Sequence, residues 1–195
     1  MTVKPLFTPP RYCRNPHIQS ALNSIGPRKI RANRLAAKLN SEYLILTTEA
    51  GVRLAAEYDI SSGRVAPGKN SLVILIHGWE GSSRSAYQVT TAKYLLDRGF
   101  DVLRLNMRDH GDTQHLNRGI FNSTMTAEVG DAIGVFLRQH SYPSVFLAGF
   151  SLGGNFTLRI AADRGTDLGL KSAVAISPPV DLSLIHISEP TRLGM

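Results

Sequence analysis

The run Val145-Phe146-Leu147-Ala148-Gly149-Phe150-Ser151-Leu152-Gly153-Gly154 passes from a short apolar stretch, through a G-x-S-x-G pattern, into helix-forming sequence. A brief continuous apolar run such as Val145 to Ala148 reads as a strand covered on both faces of a parallel sheet. The sequence from about Gly153 to Asp163 reads as the helix that follows. A serine placed on so sharp a strand-to-helix turn is pushed out of the sheet edge with strained backbone angles. The residues two positions before and after it must then be small, and Gly149 and Gly153 meet that need. The helix points its N-terminal amides and its dipole at the serine, which favours negative charge developing there. A glycine-rich turn with an incidental serine would not require the strand before it or the helix after it.

The same alternation extends outward on both sides. Tyr43 to Thr48 and Arg53 to Tyr58 are β-prone runs around Glu49-Ala50-Gly51-Val52, a hairpin with a glycine turn that would start the sheet antiparallel. Ser61 to Asn70 is a Ser/Gly/Pro-rich surface loop, and Leu72-Val73-Ile74-Leu75-Ile76 is another buried strand. Helical spacing at Val89, Ala92, Leu95 and Leu96 ends at Gly99 in C-cap position, and Phe100 to Leu105 is the next strand. Val129, Ala132, Ile133, Phe136 and Leu137 form a helical stripe before the Val145 strand. Ala173 to Ser177 closes the series. Strands alternating with helices at this spacing predict an α/β fold with a mostly parallel sheet and helices on both faces.

An acyl-transfer serine also needs hydrogen-bond donors for an oxyanion. The motif supplies one from the backbone N–H of Leu152. An earlier loop must supply the second, and His77-Gly78-Trp79-Glu80-Gly81, after the buried strand, offers the N–H of Trp79. The His77 side chain reads as packing.

The order of His77-Gly78, Arg108-Asp109-His110-Gly111 and Gly149-x-Ser151-x-Gly153 resembles the α/β-hydrolase fold. With Asn15-Pro16-His17-Ile18-Gln19-Ser20, His77-Gly78-Trp79-Glu80-Gly81-Ser82 and Ser151-Leu152-Gly153-Gly154-Asn155, the chain is similar to bacterial hydrolases related to the abhydrolase-domain carboxylesterases and acylglycerol lipases, from about Phe7 to Asp181. The resemblance implies hydrolysis of a small-molecule carboxylic ester or lipid with no metal or organic cofactor, Ser151 as nucleophile, and Trp79 and Leu152 as oxyanion donors. The alternative is a non-catalytic binding or regulatory protein on the same fold, because fold alone does not settle activity.

In this fold the triad runs serine, acid, histidine, so His17, His77, His110, His115 and His140 precede Ser151 and are wrongly placed to be its base. Only His186 follows. A triad of Ser151, Asp181 and His186 is set aside, because Asp181 directly follows the last strand and belongs to the turn Pro178-Pro179-Val180-Asp181. Leu182-Ser183-Leu184-Ile185-His186-Ile187-Ser188-Glu189-Pro190-Thr191-Arg192 resembles translated sequencing adapter. The expected organisation is therefore a basic arm at 1–40, the N-terminal portion of a hydrolase domain at 41–181, lacking its C-terminal strands, and a non-native tail at 182–195.

Composition bounds the remaining partner classes. Of 195 residues, 43% are hydrophobic and 19% charged, which fits one soluble globular domain. One cysteine, Cys13, asks for neither a disulfide nor a zinc site, no apolar run is long enough to cross a bilayer, and the expected location is the cytoplasm. The net charge of +7 sits in the arm: residues 1–40 hold eight of the 22 Lys and Arg and no Asp or Glu. Within it Ala32, Leu35, Ala36 and Leu39 share one helical face ringed by basic residues, a pattern able to lie on an anionic membrane but read here as packing on its own domain. No motif points to nucleic acid. Arg108, Asp109, His110, Asp112 and His115 could suggest a metal, but are read as hydrogen-bonded loop residues at the site entrance. The oligomeric state is not legible.

Overall fold

In the computed structural model, residues 10–15, 17–18, 27–63 and 70–182 are described; the segment from Ser183 onward, with His186, and the Gln19-Ser20 end of the N-terminal motif lie outside them. Along the described chain a 3-10 turn at Arg11–Cys13 precedes α1 (Pro27–Ala36), β1 (Glu42–Thr47), β2 (Arg53–Asp59), β3 (Leu72–Ile76), α2 (Ala86–Leu96), β4 (Asp101–Leu105), α3 (Thr126–Gln139), β5 (Val145–Phe150), α4 (Leu152–Arg164) and β6 (Leu170–Ile176). The strands form one sheet in the order β1-β2-β4-β3-β5-β6. β1 pairs antiparallel with β2 and β2 with β4, while β4, β3, β5 and β6 run parallel. The hairpin turns at Gly51, whose φ of 78° is one that glycine adopts without steric cost.

β3 shows why a continuous apolar strand belongs at the centre. All five of its residues are buried. Leu72, Ile74 and Ile76 join a core with Val129, Ala132, Ile133 and Phe136 of α3 and Phe156 and Ile160 of α4. Val73 and Leu75 point the other way, onto Ala92 of α2 and Val102 of β4. Helices thus cover both faces, as the period-2 and period-3.6 patterns required. α2 ends where expected: Gly99 takes φ 85°, and the amides of Gly99 and Phe100 bond back to Leu96 and Leu95.

β6 differs from its expected bounds, starting at Leu170 and ending at Ile176 rather than running from Ala173 to Ser177. Lys171 and Ser172 interrupt the apolar run but lie exposed on the last strand of the described sheet, where polar side chains meet water at no cost. In the arm, α1 packs against α2 and Ala32 is buried. Among the described residues no helix is long and apolar enough to cross a membrane.

Candidate active site

The parallel strands place the loops after β3, β4, β5 and β6 along one edge of the sheet, the crevice at which open α/β sheets bind ligands. Ser151 sits there between β5 and α4. Its φ of 51° and ψ of −119° lie outside the regions that a side-chain-bearing residue ordinarily occupies, and it is exposed while Leu152 beside it is buried. Two bonds fix the turn: the Ser151 N–H donates to the carbonyl of Ile176 at 2.9 Å, and its own carbonyl accepts from Asn155 N–H at 3.1 Å.

The flanking glycines are sterically obligatory. A Cβ on Gly149 would stand 2.1 Å from the carbonyl oxygen of Gly153, and one on Gly153 would stand 2.2 Å from that of His77. The β3 loop therefore lies directly against the elbow. Gly78 completes the contact, since a Cβ there would come within 3.2 Å of both the Phe150 carbonyl and Ser151 Cβ.

The loop carrying Trp79 is held at several points. Gly78 N–H donates to the Tyr87 hydroxyl at 3.0 Å, and Gly81 N–H donates to the Gly78 carbonyl at 3.0 Å, closing a turn with Glu80 at φ 52°. Further along, Ser83 N–H donates to Asn106 Oδ1 at 2.6 Å and Arg104 Nη1 donates to the Ser83 carbonyl at 2.7 Å. Arg104 is itself fully buried, with Nη2 2.9 Å from carboxylates of both Glu57 and Asp59. Among the described residues, neither the Trp79 nor the Leu152 amide is engaged in a hydrogen bond. The sequence reading does not single out Tyr87, Asn106 or Arg104; a polar residue at the C-terminal end of a buried strand is the one signal that could have found Asn106.

His77 is buried with both ring nitrogens in use, Nδ1 at 2.7 Å from the Gly78 carbonyl and Nε2 accepting Met107 N–H at 3.1 Å. Burial pushes its pKa down to about 4, so the ring is neutral. Its ring ties the β3 loop to the loop after β4 and has no nitrogen left over for Ser151. His140 stacks on Phe136, at the far end of α3.

The Arg108–His115 cluster forms a hydrogen-bonded loop. Arg108 pairs with Glu128 at 2.7 Å and donates to the Arg118 carbonyl, Asp109 accepts Phe121 N–H at 2.7 Å, and His110 Nδ1 lies 2.6 Å from the Arg108 carbonyl. The His110 ring packs on His77 and on Phe121, with centroids 4.9 Å apart in each pair. Asp181 closes the described loop after β6, where Pro179 accepts a bond from Asn155 Nδ2 at 2.9 Å.

A family model of the alpha/beta hydrolase fold matches residues 71–194. The chain belongs to the α/β-hydrolase fold family. Over 108 residues it is 28% identical to YheT of Escherichia coli (strain K12), a candidate esterase by name, a match covering 55% of this chain and 32% of that protein. It superposes on XC6422 of Xanthomonas campestris, described as an a/b serine hydrolase without lid, with a TM-score of 0.60 and 25% identity, covering 73% of this chain and 63% of the other. The Pyrococcus furiosus esterase Pf2001 shares the fold at 20% identity, with a TM-score of 0.63 over 77% of this chain and 56% of its own. The match thus spans less than two thirds of each of these relatives. For this α/β-hydrolase the fold places Ser151, Gly78 and Trp79 on the crevice edge of the sheet.

Proposed function

We propose that this α/β-hydrolase cleaves carboxylic esters with Ser151 as its nucleophile. The observation that carries this reading is the backbone of Ser151, a non-glycine residue at φ 51° on an exposed turn whose flanking glycines admit no side chain. Such strain costs on the order of 1–3 kcal/mol and persists where the surrounding structure fixes it for use. The relatives named as esterases and as a serine hydrolase support an ester as the substrate.

In the proposed reaction Ser151 Oγ attacks the ester carbonyl carbon, and the carbonyl π pair moves onto oxygen. The resulting oxyanion accepts the N–H groups of Leu152 and Trp79 at the N-terminal end of α4, where the helix dipole favours it. Collapse of the tetrahedral species expels the alcohol and leaves an acyl-enzyme, which water hydrolyses. The proton relay requires a histidine and an acid. His77 has both ring nitrogens taken, by the Gly78 carbonyl and the Met107 N–H, so we assign the histidine and the acid to sequence that follows Asp181, the order this fold uses.

In the full-length hydrolase, Ser151→Ala should preserve the fold and abolish all but the residual rate of about 10³- to 10⁴-fold over water that an oxyanion hole and binding alone sustain. A fluorophosphonate probe should label the wild type and not the variant. The 195-residue chain alone should turn over an aryl ester close to background. Undiminished turnover in Ser151→Ala would place the nucleophile elsewhere, and a folded full-length protein that neither turns over nor labels would be the binding protein of the alternative reading.

A further inference from the structure

His77 stands apart because the reaction above gives it no role, yet a buried imidazole has both nitrogens committed beside the nucleophile. Its Nε2 accepts a backbone N–H from Met107, so in the neutral ring the proton is on Nδ1. Nδ1–H then donates to the carbonyl of Gly78 at 2.7 Å. That oxygen belongs to the same peptide group as the N–H of Trp79. A planar trans peptide holds its C=O and N–H in opposite directions, so whatever fixes one aims the other.

We infer that His77 is a positioning residue, whose Nδ1–H pins the Gly78 carbonyl and thereby points the Trp79 N–H at the oxyanion formed on Ser151. This rests on the reading of Ser151 as nucleophile and Trp79 as donor. Three further contacts agree with it. Gly81 N–H takes the second lone pair of the same carbonyl at 3.0 Å, so the carbonyl is held from two sides. Gly78 N–H is tied to Tyr87, fixing the preceding peptide as well. Gly78 itself borders Ser151, so the peptide that carries the Trp79 N–H begins beside the nucleophile. The burial that keeps the ring neutral serves the same end, because a protonated Nε2 could not accept from Met107. Drawing electron density from the Gly78 oxygen also makes the Trp79 N–H a stronger donor through the shared amide.

The two ring nitrogens can be separated by substitution. Asn places its amide nitrogen near the position of Nδ1, and Gln places its amide near Nε2. In the full-length hydrolase, with a soluble short-chain aryl ester, His77→Gln should lower kcat by at least about tenfold, approaching the 10²- to 10³-fold of a deleted oxyanion donor, with KM unchanged to within about twofold. His77→Asn should keep kcat within about threefold of wild type despite losing the Met107 contact. Equal losses in both variants that track their melting temperatures would overturn the inference and leave His77 a packing residue, as would wild-type kcat in His77→Gln. Nitrogen NMR of the wild-type imidazole should show a protonated Nδ1 and a bare Nε2; the opposite tautomer overturns the inference even if neither variant folds. Ser151→Ala, assayed alongside, tells the two readings apart: if it leaves turnover intact the nucleophile assignment has failed, and if it abolishes turnover while His77→Gln does not, only the role of His77 has.

Discussion

Gly78 and Gly153 face the same elbow, but a methyl group would meet different things at each. At Gly78 the added Cβ would lie 3.2 Å from the Phe150 carbonyl and Ser151 Cβ, a squeeze that a few tenths of an ångström relieves. Gly78→Ala should therefore fold with a loss of about 1–3 kcal/mol, typical of overpacking, while moving the Trp79 peptide off the serine and lowering kcat disproportionately. At Gly153 the methyl would stand 2.2 Å from the His77 carbonyl and 2.5 Å from that of Ile76, both backbone atoms of the central strand and its loop. No side chain there can yield, so Gly153→Ala should fail to give folded protein; urea unfolding of the two variants checks the contrast. His77 adds a pH dependence of stability. Its folded pKa of about 4 lies below the ordinary 6.5, so between those values the unfolded chain binds a proton that the folded chain refuses. The stabilisation is complete above about pH 6.5, falls as the pH drops through this window and levels below about pH 4, an effect on the order of 3 kcal/mol. The urea midpoint should fall correspondingly less in His77→Asn on acidification, and equal pH profiles for the two proteins would refute the assignment.

Between elements, the tie that matters most for the site is Arg104, which reaches from β4 to β2 through Glu57 and Asp59 and to the β3 loop through the Ser83 carbonyl. Arg104→Leu would remove the cation shared by two buried carboxylates, leaving Asp59 with the Ser41 hydroxyl and Glu57 with the largely exposed Arg84. The expected loss is about 3–5 kcal/mol, the cost of breaking a buried pair rather than of replacing both sides with apolar groups. Chemical denaturation measures it, and a loss below about 1 kcal/mol would show that the remaining partners, Arg84 on Glu57 and Ser41 on Asp59, suffice to hold the carboxylates. The residue also marks where sequence reading stops. β3, the α3 stripe and the elbow were legible because each rests on local periodicity or a fixed short spacing: Leu72–Ile76 is the strand expected, and Val129, Ala132, Ile133 and Phe136 face the core. The Gly149 and Gly153 requirement was legible for the same reason. Arg104 reads in sequence as a charge inside a strand, and only the register that sets it opposite Glu57 explains its burial. Tyr87 and His77 act on Gly78 through bonds whose direction no spacing encodes, and β6 was misplaced at its start because an exposed strand needs no apolar run.

At the scale of the whole molecule, the described sheet has two unlike edges. β1 is a hairpin strand, whereas β6 is a parallel strand with β5 on one side and, among the described residues, no strand on the other. Its Ala173 packs toward the main core, but Val174 and Ile176 point to the α2 face and are 54% and 39% exposed. There, with Phe146, Ala148 and Phe150 of β5 and Leu95 of α2, they line an apolar groove of about 300 Å³. Unpaired strand amides beside exposed apolar side chains are a template for association, and lysine on such an edge is how natural sheets prevent it. The 195-residue chain should therefore self-associate with rising concentration. Val174→Lys with Ile176→Lys should restore monomer while leaving the secondary structure intact, because both side chains already reach solvent and neither is part of the main core. Light scattering coupled to size exclusion, run over a range of loading concentrations, reads the outcome. If the groove is the cause, the double lysine variant disperses the oligomer and no longer binds an apolar dye that the wild type binds. If the strand edge alone is the cause, dye binding falls but the oligomer persists, and a proline in the exposed edge of β6 is what disperses it. A wild-type chain that stays monomeric at all concentrations would mean that this face is covered in solution.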